Sequence, residues 1–546
     1  MTNILMRNSA NKKAARVPMV RLPRSIFPMN KYRKQSMKCG FLYPIMCEEV
    51  LPSDTWEVNM KNFIRLNTQL VAPIDNLMVK TYAFFVPSRL VWDNFTKQHG
   101  ERKNPGDTID YITPAINYPN GIFTESLADY MGGTRINTKT KINALPMRAY
   151  NLIWNEYFRA EQLQNEATVK TDDSDDDPNL YVVRKKAKMH DYFTDCLPNM
   201  QLGEQVNIPI GMTAPVVANG AITWKGIQHG GIYGMGSLAQ QGYNQQYFSA
   251  YCPAQTPGSV IEDNAFVYNS GLAVDLSNAV AAKVAAMRLA IDTQEILERD
   301  NRNGTRYTEI LEGRYGALNP DLRLQRPQYL GGTAAPLFTT PVVQTSGTGT
   351  EGQNTPQGNI AGFGTSADAG NIIRASFGEF GYVIVLACVQ ATPQYQQGQH
   401  KKWDRWERYD YYYPEFNGLS DQAVKNKEIF LQGNEQDDQV FGYIGRYDEY
   451  RYFNNEICGI LRSDYGESLD IWHYAEKFET LPKLGDSFIQ DKTNDIVERT
   501  LAIQKQNGGN GQMVQAEQLI AEFDFAGAVT RILPSKAIPQ TGGRIL

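Results

Sequence analysis

Segments with strand character crowd the two ends of this chain, and the patterns between them are helical or irregular. Asp54–Leu66 alternates, with Trp56, Val58 and Met60 facing one way and Glu57, Asn59 and Lys61 the other, as a half-buried strand requires. Leu77–Val86 predicts a second strand, stopped by Pro87. Tyr382–Val389 (YVIVLACV) is the longest fully apolar run; short, β-rich and apolar on both faces, it suits the middle of a packed sheet. Phe441–Phe453 and Ala521–Leu533 are further strand candidates. Between the ends, Pro146 sits where a first helical turn tolerates proline, opening a helix through Leu163. Ser277 is placed to cap a longer helix with Val280, Val284, Met287 and Ile291 on one stripe. Gly304 breaks it, and a short helix follows over 305–316. No internal repeat is visible. Length alone would suggest three or four domains, but this arrangement predicts a mainly β fold, one β-domain carrying large helix-containing insertions.

Charge is just as uneven. Ten basic residues (Arg7, Lys12, Lys13, Arg16, Arg21, Arg24, Lys31, Arg33, Lys34 and Lys38) precede the first acid, Glu48. The 44 later basic residues meet 59 acids, so an arm of +10 sits on a body of −15. Residues 1–38 lack helical or strand periodicity and are broken by Pro18, Pro23 and Pro28, which predicts a flexible arm. A tail serving only solubility would mix its charges, so a polyanion contact is the favoured reading.

No apolar run approaches the roughly 18 residues a membrane helix needs, and the N-terminal stretch shows no secretory h-region. The six cysteines form no CxxC and no metal-ligand spacing, as expected of reduced thiols in a cytoplasm. P-loop, HExxH and GxSxG motifs are absent, and the five histidines are scattered. Gly347–Gly352 fits GxGxxG, but QNTPQG follows instead of a helix, so it reads as a loop. Asp173, Asp175 and Asp177 match the first ligands of a calcium loop, whereas Pro178 and Arg184 depart from its two demanding positions. A solvated acidic turn is the better reading, with weak calcium binding left open.

Two stretches suit recognition. Lys401–Phe416 interleaves bases with Trp403, Trp406, Tyr409, Tyr411 and Tyr412. Such a mix fits a single-stranded nucleic-acid platform or a subunit interface, and Asp404, Glu407, Asp410 and Glu415 tip the reading toward the interface. Asn219–Ser259 contains one charged residue, Lys225, among Gly, Gln and the rings of Trp224, Tyr233, Tyr243, Tyr247, Phe248 and Tyr251. It reads as a long surface loop with the composition of a recognition site.

Blocks along the chain then become recognisable: GFLYPIMCEEVLPSDTW (Gly40–Trp56), FFVPSRLVWDNF (Phe84–Phe95), HDYFTDCLP (His190–Pro198), ERDNRNGTRYTEILEGRYG (Glu298–Gly316), DLRLQRPQYLGG (Asp321–Gly332), GEFGYVIVLACVQ (Gly378–Gln390), FGYIGRYDEYRY (Phe441–Tyr452) and LDIWHYAEKF (Leu469–Phe478). Together they resemble the major capsid protein of the Microviridae, closest to gokushoviruses, over nearly the whole chain from Gly40. Ser53 departs from the usual Gly of that family, which should alter a turn only.

The resemblance implies a single eight-stranded antiparallel jelly-roll over 39–546, with 205–270 a surface-exposed insertion loop. Sixty copies would form a T=1 shell around circular single-stranded DNA, in the virion and assembled in the bacterial host cytoplasm. Implied partners are a small basic DNA-packaging protein, a DNA-pilot protein, an internal scaffolding protein and a host surface receptor. No cofactor, catalysis or membrane insertion is implied. A nuclease would also carry a basic segment, but it needs clustered acidic metal ligands, and the only acidic cluster is a contiguous turn. A sugar-binding jelly roll has only the aromatic-rich loop in its favour.

Overall fold

The computed structural model describes residues 24–203 (except 103, 105, 135, 136 and 202), five strands and a helix between 216 and 303, residues 325–502 (except 344, 346–347, 351–352 and 356–359) and 517–535. Eight long strands form the core: β1 Ser25–Met37, β2 Tyr43–Val50, β3 Thr55–Gln69, β4 Leu77–Pro87, β5 Gln328–Val343, β6 Ile360–Ser376, β7 Gly381–Ala391 and β8 Leu519–Arg531. Their order is β1-β8-β3-β6-β5-β4-β7-β2, with every neighbour antiparallel. Strand β5 belongs to both halves, since Gln328–Leu337 pairs with β4 and Phe338–Val343 with β6. Two four-stranded layers, β1-β8-β3-β6 and β2-β7-β4-β5, therefore face each other as a jelly roll.

The alternation in β3 places Trp56, Val58, Met60, Ile64 and Leu66 in the barrel core with Phe523 and Phe525 of β8 and Val383 and Val385 of β7. Every residue of β7 is buried because both of its faces are covered. Its odd positions look into the barrel, while Tyr382, Ile384, Leu386 and Cys388 pack outward against α1, Leu145–Tyr157, and the chain around it. This second layer belongs to the long connection from β4 to β5. The connection from β7 to β8 starts at the opposite end of the barrel, since Gly381 pairs with Pro87 but Ala391 with Leu77. That connection carries the helix α3, Thr493–Thr500, and its Val424, Ile429, Phe441 and Phe488 form a third core with Tyr192 and Phe193 of the β4–β5 connection.

Several sequence expectations need correction. Residues 25–37 are a strand, not part of a flexible arm; Pro28 and Lys31 are accommodated because β1 lies at the sheet edge. The helix from Pro146 stops at Tyr157, short of Leu163. In its last turn the Asn155 side chain bonds both backbone groups of Ala167 at 2.8 Å, holding the returning chain. Of Phe441–Phe453 only Val440–Ile444 is extended, and Tyr447, in the left-handed region at φ 66°, begins a new turn. Ser53 also sits at φ 69°, which explains why glycine suits that position.

The chain divides into two units, 1–200 with 304–546, and 201–303. In the second, Ile222–Gln228 pairs with both Gly231–Leu238 and Phe266–Asn269, so the supposed loop is partly a sheet. The helix α2 spans Val284–Asn303; Met287 and Ile291 are exposed and Ala290 is buried, so the expected apolar stripe is not the packed side. Ser277, Val280 and the short helix at 305–316 lie outside the described residues.

Candidate functional site

The arm splits between outward cations and structural ones. Arg7, Lys12, Lys13, Arg16 and Arg21 lie outside the described residues. Arg24 is exposed at the head of β1 and donates to the Ser53 carbonyl. Lys31 pairs with Glu48, and Lys38 with Glu125 at 3.4 Å. Arg33 donates to the Tyr130 carbonyl and to Gln35 at 2.9 Å, and burial lowers its pKa. Those three fasten β1 to its neighbours, whereas Lys34 points to solvent.

The ring-rich segment 401–416 lies on the connection between β7 and β8, folded into short 3-10 turns at Lys401–Trp403, Arg408–Asp410 and Pro414–Gly418. Two of its four acids are engaged locally. Asp404 accepts Lys427 at 2.7 Å, and Asp410 accepts the amides of Trp406 and Glu407 at 2.8 and 2.7 Å. Those bonds hold both carboxyls below the usual range; burial opposes this as the largest influence on Asp404, whose pKa still falls. Arg405 pairs with Glu449 at 3.2 Å and lies over the Tyr450 ring at 4.4 Å. The rings are left outside: Trp403, Trp406, Tyr409, Tyr411 and Tyr412 are between 48% and 81% exposed. A fixed backbone presenting five exposed rings suits a protein contact.

Beside it opens a cleft of about 670 Å³ that includes His190, Tyr395, Trp403, Tyr452 and Phe453. His190 Nδ1 lies 2.5 Å from Asp195, whose other oxygen accepts the Tyr452 hydroxyl at 2.6 Å. The bond to Asp195 raises the His190 pKa, and the trio ties the two long connections together.

The carboxylates of the acidic turn are not gathered around one point. Asp173 accepts Trp92 Nε1 at 2.6 Å and Asn94, Asp175 accepts Asn117 at 2.8 Å, and Asp177 caps the turn at Pro178–Leu180. Each carboxylate serves a different donor, and among the described residues no group of acids, histidines and cysteines could hold a metal. Sequence reasoning missed Asp176, the residue of that run whose side chain is buried, against Arg148.

In the second unit, Trp224 registers opposite Gly236 and Tyr233 opposite Gly226. Tyr243, Tyr247, Phe248 and Tyr251 lie outside the described residues.

A family model described as "Capsid protein (F protein)", of phages, matches residues 15–541. This chain belongs to that capsid protein family. It is 40% identical over 541 residues to the capsid protein VP1 of Bdellovibrio phage phiMH2K, covering 97% of this chain and 98% of that one. With capsid protein VP1 of Chlamydia phage 1 the identity is 33% over 96% of each chain, and with that of Spiroplasma virus 4 it is 32% over 95%. These relatives group the chain with gokushovirus-like Microviridae. As a member of the F-type capsid family it is a structural protein of the virion that associates with itself, not an enzyme. No helix among the described residues is long and apolar enough to cross a membrane.

Proposed function

We propose that this chain is the major capsid subunit of a small phage, sixty copies of which close a T=1 shell around circular single-stranded DNA. The observation that carries this reading is family membership over nearly the full length, joined to a jelly roll whose β7–β8 connection presents exposed rings on an internally braced backbone. Those rings are the subunit contact. The basic segment ahead of β1 neutralises the genome, since phosphate contacts need cations and no sequence reading. The reading includes assembly in the bacterial cytoplasm with an internal scaffolding protein, a DNA-pilot protein and a small basic DNA-packaging protein. In the second unit, residues 219–259 supply the aromatic and amide groups for a host receptor.

Purified particles test the genome role directly: nuclease-resistant, circular single-stranded DNA should co-purify with them, and empty particles from infected cells would contradict it. Attachment is tested by deleting Gly226–Ser249. Shells should still form but no longer adsorb; normal infection by the deletion would remove the receptor role.

A further inference from the structure

The two layers of the barrel are covered unequally. The outer side of β7 and β4 is buried beneath the chain's own β4–β5 connection, where Ile384 and Leu386 meet Phe84, Trp92, Tyr150 and Trp154. Among the described residues the outer side of β1-β8-β3-β6 has no such cover: Tyr32 is 70% exposed and Ile520 65%, and Lys34, Lys61, Arg65 and Arg374 all face solvent. Among the described residues this face is open, and what it presents decides which partner it fits.

The register shows what it presents. Three consecutive rows run across the strands: Tyr32, Asp524, Lys61, Ala369; then Lys34, Glu522, Phe63, Ala367; then Ile520, Arg65, Thr365, Phe338. One exposed ring falls in each row, on β1, β3 and β5 in turn, so Tyr32, Phe63 and Phe338 make a diagonal. Neighbours on it are two strand spacings and one row apart, about 12 Å. Every acid in these strands' outer rows has a cation next to it: Asp524 has Lys61, Glu522 has Lys34, and Glu57 has Arg374. Arg65 has no acid in its row and lies over the Phe63 ring at 4.9 Å. On a body of net charge −15 this face is thus neutral to positive, and small residues (Ala367, Ala369, Ala526) leave space between the rings.

Separated rings with cations beside them, on a flat sheet with small neighbours, suit unpaired bases, which stack on aromatic faces while cations hold phosphates. The basic run before β1 feeds into the edge of this same sheet. We infer that the outer face of β1-β8-β3-β6 lines the shell interior and is a stacking platform for the single-stranded genome. This rests on the capsid reading above, and adds to it a defined surface.

Ultraviolet cross-linking of DNA-filled particles, followed by peptide mass spectrometry, separates the two claims. Nucleotide adducts are expected on peptides containing Tyr32, Phe63 and Phe338. Adducts confined to the segment before β1, or to 401–416, would leave the genome enclosed but overturn the platform. Cross-links from this face to a second copy, or to a small basic protein, would give the face to that partner instead. Phe63→Ala with Arg65→Gln, both at exposed positions, should assemble normally yet weaken single-stranded DNA binding by about tenfold. Phe63→Tyr should restore it, because any ring can stack. Unchanged DNA affinity in the double variant would also overturn the inference.

Discussion

The Arg148 guanidinium meets the Asp176 carboxylate edge to edge, Nε and Nη2 each 2.8 Å from a different oxygen, with both side chains wholly buried. Arg148 also donates to the carbonyls of Val91, Asp172 and Ser174, and the Tyr181 hydroxyl bonds Asp176 at 2.6 Å. One buried ion pair thus fixes the acidic turn onto α1, and α1 in turn covers β7. Removing one partner strands the other charge in the interior, so Asp176→Ala should cost about 3–5 kcal/mol. Asp177→Ala should cost about 1 kcal/mol, the loss of a cap. Thermal unfolding of the two variants checks the contrast, and calcium or a chelator should leave the wild-type Tm unchanged.

The division of the basic segment sets the salt dependence of DNA binding. Ten cations would give a log–log slope of about −7 on a single strand. Arg24, Lys31, Arg33 and Lys38 are engaged by the protein, which leaves six and a slope of about −4. Titrations between 50 and 300 mM salt measure this. Replacing Lys12, Lys13, Arg16, Arg21 and Arg24 with Gln should flatten the slope and reduce DNA retention, leaving the fold intact.

Trp406 is 81% exposed and Trp403 64% exposed. Trp406→Ala should therefore change subunit stability by no more than about 0.5 kcal/mol. Particle yield should nevertheless fall much further for Trp403→Ala and Trp406→Ala than for Lys139→Ala, a single exposed cation. Comparing folding and assembly in the same variants distinguishes an interface from a packing role. Normal yield from both Trp variants would remove this segment from the interface.

Ser53 holds a left-handed conformation while its amide donates to the Phe377 carbonyl at 2.8 Å. Glycine adopts that conformation without the Cβ clash. Ser53→Gly is expected to stabilise the subunit by roughly 0.5–1 kcal/mol, read as a higher Tm.

What the sequence disclosed depended on how strongly each residue's environment was patterned. The alternation from Trp56 to Leu66 and the unbroken run Tyr382–Val389 correspond to β3 and β7 because burial on one face or two leaves that imprint. Strand β1 was hidden. Its inward positions include Lys31 and Arg33, which reach partners at the edge of the barrel, so polarity masks the period. The buried Asp176 was indistinguishable from its solvated neighbours, since a partner 28 residues away decides its role. The exposed rings of 401–416 were legible as a cluster, but the local use of Asp404 and Asp410 was not. The bare sheet face was invisible, because it depends on which layer the β4–β5 connection covers.

The central claim concerns assembly, and cryo-electron microscopy of the expressed full-length protein with its partners tests it most directly. Closed icosahedral shells of sixty subunits are predicted, with segment 401–416 at a contact between neighbouring copies. A population of monomers or small oligomers that forms no closed shell, under conditions where the protein is folded, would contradict it.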